Sequence, residues 1–246
     1  MDVSDSSQLV GVLGGMGPAA TLDFLHKMLA ATPARSDQEH VPVLVASIPQ
    51  VPDRTAAFRG EGASPLPALL ASARRLAEGG AGLLVMPCNT AHLWFDELQA
   101  ALPDLPMLHL VDAALAEAVE VAGPSARIGL LATDATLAAG LYPNRTPAGS
   151  ALQWLMPTAG EMLDAVMPGI VAVKSGELER GAGLLRRAAD ALARRGAQAL
   201  VLGCTEIPLV LTRDRSPLPV IDATAALARR AVAWSLARRA ASALPA

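Results

Sequence analysis

The chain has little of the residue types from which several classes of protein are built. Aromatic residues make up 3% of its 246 residues and the formal net charge is −3. It therefore offers neither the stacking surface nor the basic surface of a general nucleic-acid binder. Only two cysteines are present, and no C-x-x-C or Cys/His cluster occurs, which disfavours a disulfide framework and a structural zinc site. We expect no nucleic-acid partner, no metal and two free thiols.

Long apolar runs are also missing. None reaches the roughly 18 to 20 residues that a membrane-spanning helix needs, and residues 1–8 are polar and acidic, unlike a secretion signal. We therefore expect no membrane partner and a cytoplasmic location. Hydrophobic residues nevertheless make up 52% of the chain against 17% charged residues, which is ample for a buried core.

One short sequence motif occurs twice, about half a chain length apart, and each copy contains one of the two cysteines. The first copy covers residues 80–90 and contains Cys88, and the second covers residues 196–205 and contains Cys204. Leu-Pro and Asp-Ala pairs follow both copies, and a similar apolar run with one glycine precedes both. The chain therefore consists of two related halves, which suggests two thiols that face one shared site.

Apolar β-branched runs alternate with Ala/Leu/Arg stretches of helical period, a pattern typical of an α/β protein whose parallel strands are covered by helices. Predicted strands cover residues 9–13, 43–48, 83–86, 107–110, 128–131, 152–155, 200–202 and 218–221. Predicted helices cover residues 19–31, 65–78, 91–101, 112–121, 161–173, 178–195 and 223–240. We divide the chain into a first α/β domain, 1–112, a second, 113–212, and a C-terminal segment, 213–246, that returns to the first.

Each cysteine comes just after a predicted buried strand, and we expect a helix to begin after each of them. Ligands of open parallel sheets bind beyond the carboxyl ends of the strands, and a positive helix end lowers the pKa of a thiol from about 8.5. We therefore expect Cys88 and Cys204 to be reactive thiols rather than core residues. Two thiols on opposite sides of one carbon suit racemisation, in which one removes the Cα proton and the other supplies a proton to the opposite face.

The residues that follow each cysteine are placed to bind a substrate carboxylate and to stabilise a carbanionic intermediate. These residues are Asn89, Thr90, Thr205 and Glu206. An N-cap role in the following helices is the alternative for the asparagine and the two threonines. For His92, one turn after Cys88, the alternatives are orienting or relaying a proton, and capping or packing.

A glycine-rich segment, 11–18, follows the first predicted strand and ends in a proline that suits the first turn of a helix. Its glycines do not form the G-x-G-x-x-G pattern, so a nucleotide site is not indicated. Two interpretations remain, namely close approach of a substrate anion to the backbone and a tight structural turn.

Five motifs resemble those of the cofactor-independent aspartate/glutamate racemase family, in its aspartate racemase branch. They are GGMGPAAT at 14–21, PQVPDRT at 49–55, MPCNTAH at 86–92, VKSG at 173–176 and GCTE at 203–206. The resemblance implies two pseudo-symmetric Rossmann-like domains with the active site in the cleft between them. It also implies an isomerase that interconverts L- and D-aspartate, with glutamate as the second substrate, without pyridoxal phosphate or metal, and commonly as a homodimer.

The resemblance also assigns roles to residues. Cys204 would act on the L-face of the substrate and Cys88 on the D-face. Arg54 and Lys174 would hold the side-chain carboxylate of a dicarboxylic amino acid, the guanidinium by a two-pronged contact and the ammonium as a point charge. Further substrate contacts are expected from Met16, Gly17, Gln50 and Thr133. The segment 141–147 departs from the family by carrying two prolines where a helix usually continues, and we place it near the rim of the cleft.

Two other functions stay open at this point. One is a related two-cysteine isomerase of a small dicarboxylate on the same scaffold. The other is an amino-acid-binding protein without turnover, although a binder has no use for paired thiols. Uptake of deuterium at Cα of L-aspartate separates the racemase from the binder.

Overall fold

Two parallel sheets with the same strand order form the framework of the computed structural model, which describes residues 8–242. The first sheet has the order β2-β1-β3-β4 and the second β6-β5-β7-β8. The strands are β1 Val10–Gly14, β2 Val43–Ser47, β3 Leu83–Val85, β4 Met107–Leu108, β5 Arg127–Ala132, β6 Gln153–Leu155, β7 Ala199–Gly203 and β8 Val220–Asp222. The second sheet repeats the first strand for strand, so the predicted α/β fold of two related halves is confirmed.

Ten α-helices flank these sheets within the described residues. They are α1 Pro18–Ala31, α2 Arg54–Phe58, α3 Leu66–Glu78, α4 Phe95–Ala101, α5 Leu110–Ala122, α6 Asp134–Ala138, α7 Ala159–Glu161, α8 Met167–Lys174, α9 Leu178–Arg194 and α10 Ala223–Ser242. The single helix predicted over 161–173 is interrupted by a π-helical turn, Met162–Val166. Pro168 has no N–H to donate to the carbonyl of Asp164, and the Arg187 side chain donates to that carbonyl instead, at 2.7 Å.

Two glycines at equivalent positions show why the halves share one strand pattern. A Cβ atom on Gly11 of β1 would lie 2.8 Å from the side chains of Ala81 and Leu84, and one on Gly129 of β5 would lie 2.6 Å from Leu200. Only glycine lets the neighbouring strand and helix pack this closely. These glycines therefore serve packing rather than ligand binding.

Helices α5 and α10 join the two halves through one buried core. That core contains residues of β1 and β3 from the first sheet and of β5 and β7 from the second. Although α5 follows the first sheet, it contacts β7 and β8, while α10 packs against α1 and α5. Within its described part, the C-terminal segment 213–246 contacts both halves. Strand β8 pairs with β7 in the second sheet, while Asp222 at the end of β8 forms an ion pair with Lys27 of α1 at 2.6 Å and α10 packs against α1. The domain boundaries at 112 and 212 stay predictions.

None of the helices within residues 8–242 combines the length and the apolar character needed to cross a membrane.

Candidate active site

The two cysteines lie at the carboxyl-terminal edges of equivalent strands and line the same cavity. Cys88 follows β3 and Cys204 follows β7 directly, and each is 5% exposed. The cavity between them, called the thiol cavity below, has a volume of about 20 Å³ when traced by the centre of a water-sized sphere. It therefore has room for about one water molecule. A larger adjoining cavity, of about 420 Å³ by the same measure, shares Arg54, Lys174 and Glu206 with it.

Nearly all the residues predicted for the site line the thiol cavity. They are Met16, Arg54, Cys88, Asn89, Thr90, Thr133, Lys174, Cys204, Thr205 and Glu206. Gly17 lines the adjoining cavity instead, and Gln50 is exposed and lines neither of these two cavities. Asp53 and Thr55 also line the thiol cavity but were not predicted. Asp53 is the N-cap of α2 and accepts from the N–H of Ala56 at 2.8 Å, so a capping pattern beside Arg54 was the available signal.

The glycine-rich segment forms a tight turn held by one threonine. Thr21 in α1 accepts from the N–H of Gly15 at 2.8 Å and donates to the carbonyl of Gly17 at 3.0 Å. Gly15 has φ of +92°, and a Cβ there would lie 2.4 Å from the N of Ile48. The structural-turn interpretation therefore holds for this segment, while Gly17 also borders the adjoining cavity.

Cys204 is a protonated thiol beside a carboxylate. Its Sγ donates to Oε2 of Glu206 at 3.1 Å, and the hydroxyl of Thr205 donates to the same oxygen at 3.2 Å. Burial raises the pKa of the Cys204 thiol well above its ordinary value, the charge of Glu206 raises it further, and Lys174 acts in the opposite direction. Glu206 is thus placed to accept the proton of this thiol.

The predicted lowering of the Cys204 pKa by a helix end is therefore wrong. A turn and a short 3₁₀ helix, Ile207–Leu209, follow Cys204 in place of the expected α-helix. Cys88 is likewise followed by a 3₁₀ helix, Thr90–Trp94, and only then by α4. So short a helix supplies little dipole, and at Cys204 burial and the neighbouring carboxylate dominate.

His92 anchors the backbone at Cys88. Its Nε2 accepts from the N–H of Leu110, the first residue of α5, at 3.1 Å. Nδ1 therefore carries the proton and donates to the carbonyl of Cys88 at 2.8 Å. Burial lowers the pKa of His92 to about 4, so the ring is neutral at pH 7. Because both ring nitrogens are bonded to the backbone, His92 orients Cys88 and does not relay a proton.

Three threonine hydroxyls bridge the halves beside Cys88. Thr90 lies 2.9 Å from Thr133 and 3.1 Å from Thr136, and Thr133 donates to Thr136 at 3.0 Å. Thr133 caps α6, whereas the Asn89 side chain makes no capping bond at the helix that follows it. The side chains of Asn89 and Thr90 therefore make contacts across the cleft instead of capping a helix. The hydroxyl of Thr205 donates to Glu206.

Within the described part of the chain, the hydrogen bonds of Arg54 all come from one nitrogen of its guanidinium. Nη1 donates to the carbonyls of Val51 at 3.2 Å and Pro52 at 3.1 Å, which fixes the side chain over its own loop. Nε is buried and has no hydrogen-bond partner among residues 8–242. Arg145 uses the equivalent edge, Nε and Nη2, to bind both oxygens of Asp112 at 2.7 and 2.6 Å. Arg54 therefore offers the edge that grips a carboxylate with two parallel hydrogen bonds.

Lys174 ends α8 and lines both cavities. Partial desolvation acts to lower the pKa of Lys174, but the charges of Glu206, Cys204 and Cys88 outweigh it, and the net shift is upward. The lysine is therefore a firm positive charge beside the thiols. No group of three or more His, Cys, Asp or Glu residues in the described part of the chain is arranged to hold a metal ion.

Comparisons with known proteins agree with this architecture. A profile of the Asp/Glu/hydantoin racemase family matches residues 13–231. The broad specificity amino-acid racemase RacX of Bacillus subtilis is 26% identical over 236 residues, which cover 93% of this chain and 99% of RacX. The structure of Picrophilus torridus aspartate racemase superposes with a TM-score of 0.81 at 28% identity, over 92% of this chain and 94% of that one.

A more distant relative shares the fold alone. Glutamate racemase of Francisella tularensis, solved in complex with D-glutamate, superposes with a TM-score of 0.65 at 15% identity, over 95% of this chain and 83% of that one. The family profile spans most of the chain and includes both cysteines. The chain therefore belongs to the Asp/Glu/hydantoin racemase family, whose racemases are isomerases that do not need pyridoxal phosphate.

Proposed function

We propose that this protein interconverts L- and D-aspartate with Cys88 and Cys204 as a pair of acid–base groups and without a cofactor. The observation that carries the proposal is that both cysteines line the thiol cavity. Each of them lies at the end of an equivalent strand, one in each half of the chain. Glutamate is the second substrate that we expect. The aspartate racemase of P. torridus, which matches over nearly the whole chain, supports aspartate as the first.

The proton transfers follow from the environment of each thiol. Before reaction Glu206 takes the proton of Cys204, so that the Cys204 thiolate can remove the Cα proton of L-aspartate. Cys88, as a thiol, then donates its proton to the opposite face of the same carbon. Inversion leaves Cys204 and Glu206 protonated and Cys88 as the thiolate. The reverse reaction, or transfer of the Glu206 proton to Cys88 through water, restores the first state.

The carbanionic intermediate needs positive groups close to its carboxylates. We assign the side-chain carboxylate to the free edge of Arg54 and to the charge of Lys174. We assign the α-carboxylate to Asn89 and to the hydroxyls of Thr90 and Thr205, which line the thiol cavity between the cysteines. Met16 and Thr133 complete that wall, Gly17 borders the entry from the adjoining cavity, and Gln50 stays a candidate contact on the exposed loop before Arg54.

The thiol cavity is too small for an amino acid as it stands, so the substrate must widen it. The adjoining cavity shares three side chains with the thiol cavity, which makes it the natural route of entry. A dicarboxylate that enters there meets Arg54 and Lys174 before it reaches the sulfurs. The charges of these two residues therefore select the substrate before the thiols act.

The experiment is a substrate screen without added cofactor. Purified protein is incubated with L-aspartate, L-glutamate and L-alanine in turn, and the products are separated by chiral chromatography. We expect D-aspartate to form fastest, D-glutamate more slowly and D-alanine least. Comparable rates on all three would favour the broad specificity that the name of RacX describes, and no D-product from either dicarboxylate would refute the proposal.

A homodimer and a cytoplasmic location, both expected from the sequence, belong to the same proposal. Leu22 and Leu29 lie one heptad apart on α1 and are 61% and 53% exposed, which supports an interaction face on that helix. Analytical ultracentrifugation at micromolar concentration tests the dimer, and a single species of monomer mass would contradict it.

A further inference from the structure

The side chain of Tyr142 has no role in the proton transfers described above, yet it touches both ends of the site. It is fully buried, and its hydroxyl donates to Oδ1 of Asn89, the residue after Cys88, at 2.5 Å. A Cβ atom placed on Gly203, the residue before Cys204, would lie 3.2 Å from Cε2 of the tyrosine ring. Tyr142 thus reaches from the second half of the chain to the residue after one thiol and packs beside the residue before the other.

The hydrogen bond fixes which way the Asn89 amide faces. Burial raises the pKa of Tyr142 far above its ordinary value, so the phenol keeps its proton. The 2.5 Å separation from Asn89 lies in the range of an O–H···O hydrogen bond and is shorter than the range of an N–H···O bond, so the phenol is the donor. A phenolic O–H can donate only to the oxygen of the amide, not to its NH₂ group. The NH₂ group of Asn89 therefore points away from Tyr142.

That NH₂ group is left without a partner at the site. Asn89 is 2% exposed and lines the thiol cavity, and its Nδ2 is buried with no hydrogen-bond partner among residues 8–242. A buried donor that makes no hydrogen bond is unfavourable, and a ligand carboxylate in the cavity would satisfy it. Trp154 packs against the tyrosine ring at a centroid distance of 5.9 Å, which holds the phenol in place.

We propose that Tyr142 is a positioning residue, which fixes the Asn89 amide so that its NH₂ group donates to the α-carboxylate of the substrate. The proposal rests on the proposed function and adds a residue that does not itself line the thiol cavity. Binding the α-carboxylate also stabilises the charge that develops when the Cα proton leaves. In the absence of the phenol, the amide is free to turn its oxygen towards the carboxylate, which weakens binding.

The test is a double-mutant cycle on Tyr142→Phe and Asn89→Ala. Two quantities are measured for each variant, namely kcat/KM for L-aspartate and the Kd of succinate by titration calorimetry. Tyr142→Phe should weaken both by about 10- to 100-fold, the range for a lost hydrogen bond to a charged group. In the Asn89→Ala background the same change should have less than a twofold effect, because the tyrosine acts through the amide. Comparable losses in both backgrounds, or no loss in either, would overturn the inference.

A matched control separates positioning from simple stability. Thr32→Val removes another buried hydroxyl, which donates to the carbonyl of Met28 at 2.8 Å, and Thr32 lines neither the thiol cavity nor the adjoining one. This variant should keep the succinate Kd and kcat/KM of the parent. A loss like that of Tyr142→Phe would show that any buried hydroxyl has the same effect, and the inference would fall.

A second variant tests the orientation of the amide without touching the tyrosine. Asn89→Asp replaces the cavity-facing NH₂ group by a carboxylate oxygen, so it should weaken succinate binding more than Asn89→Ala does. Equal or tighter binding by Asn89→Asp would show that no donor faces the ligand. Succinate binding needs no turnover. A wild-type protein that binds succinate but does not racemise would refute the proposed function, whereas the Kd of succinate for the variants would still test the inference about Tyr142.

Discussion

Two buried histidines should make the fold sensitive to mild acid. Burial lowers the pKa of His92 from 6.5 to about 4, and burial followed by the neighbouring His92 lowers the pKa of His109 to about 2. Their rings lie 4.6 Å apart. Both are neutral in the folded state at pH 5, whereas in the unfolded chain they take up protons below about pH 6.5. The unfolded state is therefore favoured as the pH falls.

The magnitude follows from linkage between protonation and folding. Between pH 6.5 and the folded pKa of each histidine, one pH unit costs roughly 1.4 kcal/mol of stability per group. For His92 the loss reaches roughly 3 kcal/mol at pH 4 and then levels off. A loss of this size is a large fraction of the 5 to 15 kcal/mol that typical domains possess. Above pH 6.5 neither histidine contributes to the pH dependence.

The assay compares His92→Gln with the parent by urea unfolding at pH 7, 6 and 5. Glutamine does not protonate in this pH range. Below pH 6, the free energy of unfolding of the variant should therefore rise relative to that of the parent by about 1.4 kcal/mol per pH unit. The exposed His26 supplies the control, and His26→Gln should track the parent. A difference that stays constant from pH 7 to pH 5 would refute the reasoning.

Three further predictions concern the site and the packing. Arg54→Lys should lower kcat/KM for L-aspartate by about 10- to 100-fold, because an ammonium does not reproduce the two-pronged edge, and an equal loss with L-alanine would remove Arg54 from the side-chain role. Glu206→Gln should slow turnover yet speed alkylation of Cys204 by iodoacetamide at pH 7, since loss of the carboxylate charge lowers the thiol pKa; slower alkylation would contradict this. Gly129→Ala should lower the free energy of unfolding, measured in urea, by about 1 to 3 kcal/mol. Gly160 has open space around it, so Gly160→Ala should cause no such loss, and equal effects of the two variants would contradict the packing argument.

The sequence predicted the strands well because their pattern is local and repeated. All eight predicted strands overlap those of the structure, since buried parallel strands are short apolar runs between glycine-containing turns. The strand predicted over 107–110 ends at Leu108, because His109 caps α5 by accepting from the N–H of Val111 at 3.2 Å. A histidine cap is not visible in a pattern of apolar residues.

The chemistry around the thiols was harder to predict. The pKa of Cys204 depends on burial and on Glu206. The chain bends after β7, which brings the Glu206 side chain back to the sulfur, and the spacing of apolar residues in the sequence does not indicate such a bend. The partner of Asn89 lies 53 residues away in the other half. Contacts across the cleft are set by how the halves pack, so only the structure brings Tyr142 and Asn89 together.

The most direct test follows the Cα proton in D₂O with Cys88→Ser and Cys204→Ser. With L-aspartate, Cys88→Ser should exchange the Cα hydrogen for deuterium with retention and form almost no D-aspartate, while Cys204→Ser should show the same behaviour with D-aspartate. NMR reads the exchange and chiral chromatography reads the inversion. Full racemisation by either single variant would contradict the assignment of one thiol to each face.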